Sequence, residues 1–342
     1  MQNLKYFYGS FAVTIIGVAL AMMLGENMWM ALYLVIVLAL LEISLSFDNA
    51  VVNAKVLAGM PRFWQRMFIW IGLPIAVFGM RLVFPIFLVD VTTPMNFTEV
   101  IHVALNNPEA YHHALMEGFP MISAFGGSFL LMVFLRFFFI DPPEVKWLVW
   151  LEDTKWVWKL RELNGVHIFI ALIIGAFLTY HAQQVLGLGY QVGLAFMVGV
   201  LVHECLHTLN HFMGQAGASS GKLVRNGLMG FIYLEILDAS FSFDGVIGAF
   251  AISTDIVLIM IGLGIGAMYV RSLTIYFVEQ KTLSKFQFLE HGAHYAIGFL
   301  AVVMFFKITT HVPEWLTGGV GIGLIIVAFI HSVIVNKRDL DL

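Results

Sequence analysis

Two short acidic segments of this sequence carry the residue types best suited to chemistry. The segment from Glu42 to Asp48 reads Glu-Ile-Ser-Leu-Ser-Phe-Asp, and the segment from Asp238 to Asp244 reads Asp-Ala-Ser-Phe-Ser-Phe-Asp. Each copy contains two carboxylates and two hydroxyls, and neither contains a thiol or a thioether. Oxygen ligands of this kind suit hard divalent cations such as Mn²⁺, Mg²⁺ or Ca²⁺ and suit Cu(I) poorly. The repeat therefore predicts a cation site built from two related halves.

The spacing of these residues limits how a helix can present them. On a regular helix Glu42, Ser46 and Asn49 share one polar stripe, whereas Asp48 lies on another. Because six positions separate the two acids of each copy, an unbroken helix would direct them about 120° apart. Convergence on one ion therefore requires local unwinding, for which small or amide residues are suited. The positions at which we expect the break are Asn49, Asn53, Gly245 and Gly248.

The elements that must position these acids are membrane spans. Of the 342 residues, 60% are hydrophobic and 12% are charged, a balance that is not typical of soluble domains. Apolar runs of about 20 residues recur, and hydropathy predicts an all-α, polytopic transmembrane bundle with about ten spans. The predicted spans are 8–25, 28–59, 66–89, 119–140, 166–186, 189–212, 227–252, 255–278, 292–309 and 317–335. The second is overlong, so we expect it to be interrupted.

Lysine and arginine fall on alternate loops, which predicts the orientation of the spans. The basic loops and both termini are expected to be cytoplasmic. On this assignment the spans with Asp48 and Asp244 run in opposite directions, so the repeats have inverted topology. The expected organisation is a first transmembrane repeat at 1–140, a cytoplasmic interfacial linker at 141–165 and a second transmembrane repeat at 166–342.

Two polar stretches interrupt the apolar pattern. The linker at 141–165 is charged, contains four tryptophans, and is expected to lie along the membrane interface. The stretch at 91–118 contains three glutamates and three histidines. We expect it to be an ordinary hydrated loop, with a metal-collecting vestibule as the alternative.

The energetics of buried charge favour a functional role for the acids. A carboxylate near the bilayer centre costs roughly 2.5–3.5 kcal/mol on insertion scales, and intramembrane acids rarely lack a function. This chain is expected to place at least four there. The alternative is structural: protonation, hydrogen bonds to serines, or pairing with Lys55 or Arg81 would neutralise the acids. Arg81 or Arg271 could also pair with a site acid when the ion leaves.

The two segments resemble the motifs of the TerC family of bacterial membrane proteins. That family has an S-x-D-N-A motif in one helix and an F-S-x-D motif in another, matched here by Ser46-Phe47-Asp48-Asn49-Ala50 and Phe241-Ser242-Phe243-Asp244. The resemblance implies manganese export across the bacterial cytoplasmic membrane, with tellurite resistance as an older functional label. It also implies that Glu42, Asp48, Asp238 and Asp244 are ion ligands. Gly245 departs from the family pattern, since many relatives have a polar residue there. The predicted metal-site residues are Glu42, Ser46, Asp48, Asn49, Asp238, Ser242 and Asp244.

A rival function comes from a second motif. His203-Glu204-Cys205-Leu206-His207 fits H-E-x-x-H, which on a helix can hold zinc with two imidazoles while the glutamate acts as general base. His211 or Asp244 could supply the third ligand of an intramembrane metalloprotease. A five-residue match also arises by chance in a chain with twelve histidines, and the histidines could instead line an accessory metal or proton path. A membrane metal sensor or scaffold is a further alternative.

The remaining features limit partners and cofactors. The net charge is −4 and the basic residues are scattered, so a nucleic-acid surface is not expected. Cys205 is the only cysteine, which excludes an internal disulfide. No ATP-binding loop is present, so the membrane potential or proton exchange would drive transport. We expect no enzymatic activity and no cofactor; the partners are the lipid bilayer and the transported cation, and a homo-oligomer is left open.

Overall fold

The computed structural model of the chain describes residues 2–24, 27–215, 221–250, 252–253, 255–310 and 312–340. Every regular element within these ranges is helical. The all-α, multi-pass bundle that the apolar runs predict is therefore confirmed.

The helices follow one another with short connections. A 3₁₀-helix at Gln2–Phe7 precedes α1 (Tyr8–Leu24), α2 (Met28–Leu45), α3 (Phe47–Ala58), α4 (Arg62–Trp70) and α5 (Gly72–Pro74). A first π-helix at Ile75–Val83 leads into α6 (Phe84–Thr92), α7 (Phe97–Asn106) and α8 (Pro108–Leu135), and a second π-helix follows at Arg136–Ile140. The rest of the chain forms α9 (Val149–Glu152), α10 (Lys155–Arg161), α11 (Val166–Leu186), α12 (Gly189–Gln215), α13 (Gly221–Phe250), α14 (Ile256–Glu279), α15 (Thr282–Lys285), α16 (Leu289–Lys307) and α17 (Glu314–Leu340).

Eight helical segments among the described residues are long and apolar enough to cross a membrane. They are Leu4–Leu24, Met28–Leu45, Glu109–Ile140, Val166–Leu186, Gly189–Thr208, Ile256–Glu279, Leu289–Lys307 and Gly318–Asn336. The other two predicted spans, 66–89 and 227–252, are also largely helical. The first is divided among four short helices, and the second carries the acids of α13, so neither forms one uniformly apolar helix.

The interruption expected in the second span lies at Ser46, between α2 and α3. The positions predicted for it were wrong: α3 continues through Asn49 and Asn53, and α13 continues through Gly245 and Gly248. Ser46 donates both its hydroxyl and its backbone N–H to Glu42, to the carboxylate and to the carbonyl. The backbone at Ser46 has φ −106° and ψ 15°, outside the helical range, while its hydroxyl contacts the acid one turn earlier.

The stretch at 91–118, expected to be a loop, contains α7 and the beginning of α8. Asn96 accepts a hydrogen bond from the backbone N–H of Glu99, and the Glu99 carboxylate accepts one from the backbone N–H of Asn96. This capping box satisfies two backbone donors at the helix start. The local capping signal therefore overrides the polar composition on which the loop prediction rested.

The chain divides into two compact units. Unit 1 comprises Met1–Phe119 and Gly217–Gln280, and unit 2 comprises Pro120–Ala216 and Lys281–Leu342. Both acidic segments belong to unit 1. The repeats predicted at 1–140 and 166–342 describe sequence order, and that division stays a prediction.

In unit 1, α2 packs closely against α14. A Cβ added to Gly262 would lie 2.5 Å from Leu38 Cβ, and one added to Gly266 would lie 2.8 Å from the Ala39 carbonyl oxygen. These two glycines therefore form the close-packing helix surface that their spacing in an apolar span indicates. The contact holds Glu42, one turn beyond Leu38, in the interior of the unit.

In unit 2, the linker at 141–165 docks onto α16 and α17. Trp147 donates from its ring N–H to His331 Nδ1 at 2.9 Å, and Tyr295 donates its hydroxyl to Glu152 Oε1 at 2.8 Å. Trp150, by contrast, is largely exposed, as are the other two linker tryptophans. Exposed tryptophans are typical of the membrane–water interface; the interfacial position of the linker stays a prediction.

Glu152 anchors this linker through a dense set of hydrogen bonds. Its carboxylate accepts the backbone N–H groups of Trp147 and Leu148, and His291 Nε2 lies 3.6 Å from it. Burial acts to raise the pKa of Glu152, but the interactions with His291, the Leu148 N–H and Tyr295 outweigh it and lower the pKa to about 2.

We expect Glu152 to make the stability of the protein sensitive to acid. Because its folded pKa lies below the ordinary value of 4.5, its contribution is present above that value and is lost as the pH falls toward 2. In Glu152→Gln the melting temperature should therefore be lower at neutral pH and should fall less between pH 5 and 2. Thermal unfolding in detergent measures this. Parallel curves for the two proteins would contradict the assignment.

Candidate metal site

The two acidic segments lie side by side in unit 1 and run in opposite directions. A Cβ added to Gly245 on α13 would lie 2.8 Å from Glu42 Oε2 on α2. Seven residues along, Asn49 on α3 donates from its side-chain amide to Asp238 Oδ1 on α13. In the sequence repeat, Glu42 corresponds to Asp238 and Asn49 corresponds to Gly245. The contact of Glu42 with Gly245 and the contact of Asp238 with Asn49 are therefore equivalent, related by the repeat. This is the local arrangement expected of two inverted copies.

The first half-site is centred on Glu42, which is 1% exposed. Its Oε1 accepts hydrogen bonds from the Ser46 hydroxyl at 2.8 Å and from the Arg81 guanidinium. Arg81 lies on the first π-helix. Nine consecutive residues adopt this π-helix, an uncommon conformation that is frequent at functional sites when it occurs, and the element carries the arginine that neutralises a buried acid.

The second half-site is centred on Asp238. The guanidinium of Arg271 lies 3.2 Å from Asp238 Oδ2 and 3.4 Å from Glu235 Oε1. The same guanidinium donates to the Phe68 carbonyl at 2.6 Å and lies 4.2 Å from the centroid of the Phe68 ring. A Cβ at Gly72 would collide with both Arg271 and Glu235. The arginine is therefore held in a closely fitted position by a carbonyl, an aromatic face and two acids.

Asp48 differs from the other acids. It is 5% exposed, and within the described part of the chain its carboxylate accepts one hydrogen bond, from the backbone N–H of Asn49 at 3.0 Å. Neither arginine of the two half-sites reaches it within ion-pair distance. A buried carboxylate without a cationic partner is strongly disfavoured, so Asp48 is the acid for which an external cation would gain the most.

Several buried oxygen atoms around these acids accept no hydrogen bond from the described residues. They are Glu42 Oε2, Asn49 Oδ1, Asn53 Oδ1 and Glu235 Oε2. Buried polar atoms are almost always satisfied in native proteins, and exceptions call for an explanation. Carboxylate and amide oxygens are the ligands that hard divalent cations prefer, so the chemistry of the unsatisfied atoms fits such an ion.

The present conformation does not bring these ligands together around one point. Among the described residues, no three His, Cys, Asp or Glu side chains are arranged to hold a metal ion. Arg81 and Arg271 instead neutralise acids of the two half-sites. The pairing of Arg81 with an acid, considered from sequence as the structural alternative, is therefore present in this conformation.

The structure describes the side chains of five of the seven predicted site residues. Glu42, Ser46, Asp48, Asn49 and Asp238 lie on the facing segments; the side chains of Ser242 and Asp244 lie outside the described residues. Glu235 was not predicted as a site acid, although it lies one turn before Asp238 on the same helical stripe. That spacing was the signal available for it.

Gly245 provides clearance for Glu42, a role that its lack of a side chain does not reveal in the sequence. A methyl group there would displace the Glu42 carboxylate, because the Cβ would lie 2.8 Å from Oε2. If the site carries a cation, Gly245→Ala should reduce its flux roughly tenfold, the equivalent of about 1.4 kcal/mol. Gly319→Ala is the matched control, since no atom lies within 4 Å of a Cβ there. Equal flux in both variants would contradict this role.

The H-E-x-x-H motif lies on α12 in unit 2. Glu204 Oε1 is 3.2 Å from His203 Nδ1 and 3.5 Å from His167 Nε2 on α11. The glutamate is thus engaged by two imidazoles, and His167 was not predicted as a partner. The side chain of His211, proposed as a third ligand, lies outside the described residues. The protease alternative stays a prediction, and the described contacts offer no specific support for it.

Comparison with protein families gives a match over most of the chain. A family model described as "Protein of unknown function (DUF475)" matches residues 47–339. This range includes Asp48, the second acidic segment and the H-E-x-x-H motif, and it begins beyond Glu42. Comparisons with curated proteins and with solved structures gave no match.

Proposed function

Because this chain belongs to the DUF475 family, whose description assigns no activity, we propose a function from the site itself: the protein carries a hard divalent cation, most suitably Mn²⁺, across a membrane. In this proposal the acids of unit 1 bind the ion, and Arg81 and Arg271 occupy the same acids when the ion is absent. The protein is then a transporter rather than an enzyme, and the cation is its substrate.

The pairing of the described charges supports this proposal. Four acids of unit 1 are buried or half-buried among the described residues: Glu42, Asp48, Glu235 and Asp238. Arg81 pairs with Glu42, and Arg271 lies beside Glu235 and Asp238. A bound divalent cation would supply positive charge to an acid that neither arginine neutralises. The buried Asp48, which neither arginine reaches, is the observation that carries the proposal.

The ligand chemistry agrees with a hard cation. Among the described residues, the site oxygens that lack a hydrogen bond are carboxylate and amide oxygens, and the Nε atoms of Arg81 and Arg271 also lack one. Mn²⁺, Mg²⁺ and Ca²⁺ bind such oxygens, whereas Cu(I) and thiolate-bound Zn²⁺ do not. The resemblance of both motifs to the TerC family favours Mn²⁺ and export. It also favours a bacterial cytoplasmic membrane, with both termini in the cytoplasm.

The two half-sites suggest how an ion could pass. Inverted copies that meet inside a membrane provide two equivalent openings of one site, each exposed in turn. An arriving cation would draw Glu42 and Asp238 away from their arginines, and the returning guanidiniums would release it on the other side. Each arginine then acts as a tethered competitor that keeps the buried acids neutralised between transport events.

Ion flux into vesicles tests the proposal directly. The purified chain, reconstituted in liposomes, should carry Mn²⁺ at a rate well above that of protein-free liposomes. An imposed membrane potential or pH gradient should change the rate, since no nucleotide loop is present to drive it. The absence of flux for Mn²⁺, Mg²⁺ and Ca²⁺ under all gradients would remove the proposal.

A further inference from the structure

A second polar site lies in unit 1, away from the acids. A pocket of about 270 Å³ opens between α4 and the last turn of α14. Arg62 and Arg66 line it from α4, Glu279 lines it from α14, and Ile275 and Val278 supply an apolar wall. The proposed transport reaction uses none of these residues.

The charges in this pocket are arranged on opposite walls. Arg62 and Arg66 are four residues apart on α4, so their side chains share one helix face. Neither forms an ion pair with an acid within the part of the chain that the structure describes. No side chain caps the start of α4, which leaves the positive end of the helix dipole beside Arg62. Glu279 supplies one negative charge opposite, so a ligand with one anionic and one cationic group would be complementary.

The position of the pocket indicates where such a ligand comes from. Glu279 is the last residue of the membrane-spanning segment Ile256–Glu279, so the pocket lies where a span leaves the hydrocarbon. On α4, the helix that carries both arginines, Phe63 and Trp70 are 60% and 78% exposed, as in a helix that lies in the membrane interface. Phospholipid phosphates occupy this level of the bilayer, and basic pockets between spans bind lipid headgroups.

We propose that this pocket binds the headgroup of a phospholipid that carries a phosphodiester and a primary amine, as phosphatidylethanolamine does. Arg62 and Arg66 donate to the phosphate oxygens, and Glu279 accepts the ammonium group. The apolar wall formed by Ile275 and Val278 contacts the beginning of the acyl chains. The two arginines distinguish this site from a simple hydrophobic groove, because they require a phosphate at a fixed position.

Binding of defined lipids to the delipidated, full-length protein in detergent tests this proposal. Phosphatidylethanolamine should raise the melting temperature of the wild type, and native mass spectrometry should show the lipid retained. Arg62→Gln and Arg66→Gln should each weaken binding roughly tenfold, the size expected for a lost charge-assisted hydrogen bond. Glu279→Gln should remove the preference for phosphatidylethanolamine over phosphatidylglycerol. Lys159→Gln, which neutralises an exposed lysine on the linker helix α10, should bind like the wild type.

Three results would overturn the proposal. The first is lipid binding that is equal in the wild type and in both arginine variants. The second is a stabilisation by inorganic phosphate or glycerophosphoethanolamine as large as that by the intact lipid, which would assign the pocket to a soluble phosphate. The third is a preference for phosphatidylethanolamine that survives in Glu279→Gln, which would remove the role of the carboxylate. All variants change exposed or pocket-lining polar residues. The melting curve of each variant without added lipid shows whether it is folded.

Discussion

Asp48→Asn should lower cation flux strongly while leaving the protein folded and inserted. The substitution keeps the size of the side chain and the oxygen that accepts the Asn49 N–H, but it removes one negative charge from the site. Loss of one partner from a buried charge pair costs roughly 3 kcal/mol, so the rate should fall on the order of 100-fold. Mn²⁺ uptake into proteoliposomes, compared at equal protein content, measures the effect.

Stability gives a second and independent readout for the same variant. Without metal, burying a neutral amide is less costly than burying a carboxylate, so Asp48→Asn should melt at the wild-type temperature or above it. A purely structural role would instead lower flux and stability together. Glu117→Gln is the control, because its carboxylate is exposed and pairs with His113 on the surface. Wild-type flux in Asp48→Asn would contradict the proposed site.

The fold class could be predicted from the sequence because its determinants are local. Apolar runs of about 20 residues predict membrane-spanning helices, and the recurrence of the acidic segment at Glu42 and Asp238 identifies two helices that carry acids. The antiparallel contact of the two copies also agrees with the inverted repeat expected from the distribution of basic loops. These features depend on residue type and spacing, which the sequence contains directly.

The pairing of charges could be predicted only in outline. Arg81 follows Glu42 by 39 residues, and a π-helix between Ile75 and Val83 sets its direction; neither the crossing of the helices nor that turn has a clear local signal. The position of the interruption at Ser46 also lacks a clear local signal. Gly and Asn were natural candidates from their conformational preferences, but the hydroxyl of Ser46 bonds to the very acid that the helix must present.

The role of Gly245 could not be predicted from the sequence. Compared with Asn49, its counterpart in the repeat, Gly245 lacks a side chain that could bind an ion, so the sequence indicates only a missing ligand. In the structure the same absence of a side chain leaves room for the carboxylate of Glu42. The two half-sites therefore have related backbones but different chemistry. Asp238 accepts a hydrogen bond from the Asn49 amide, whereas Glu42 faces Gly245, which has no side chain. Such asymmetry would let the two openings hold the ion with different strength.

Arg81→Gln should separate the two roles that we assign to the arginine. Without metal, the variant leaves Glu42 buried and without its guanidinium, an arrangement that costs about 3–5 kcal/mol. The melting temperature should therefore fall substantially. Mn²⁺ should restore it, because the cation can take the position of the missing positive charge, and the affinity for Mn²⁺ should rise above that of the wild type. Thermal unfolding at increasing Mn²⁺ concentration measures both effects.

Two further variants make this result interpretable. In the double variant with Glu42→Gln, both charges are absent and the stability should return without metal, since removing both partners of a buried pair is often nearly neutral. Arg136→Gln is the matched control: this arginine begins the second π-helix and pairs at 2.9 Å with the exposed Asp141. Its loss should cost at most about 1 kcal/mol, as for other partly exposed pairs, and should not depend on Mn²⁺.

The response of Arg81→Gln to metal decides between a structural and a competitive arginine. If the guanidinium only holds α2 and the π-helix together, Mn²⁺ will raise the melting temperature of the wild type and of the variant by the same amount. If it competes with the ion, the increase will be larger in the variant, by the free energy that the wild type spends on displacing the arginine. Flux should then fall in spite of the tighter binding, because an ion that no tethered cation displaces leaves the buried acids slowly.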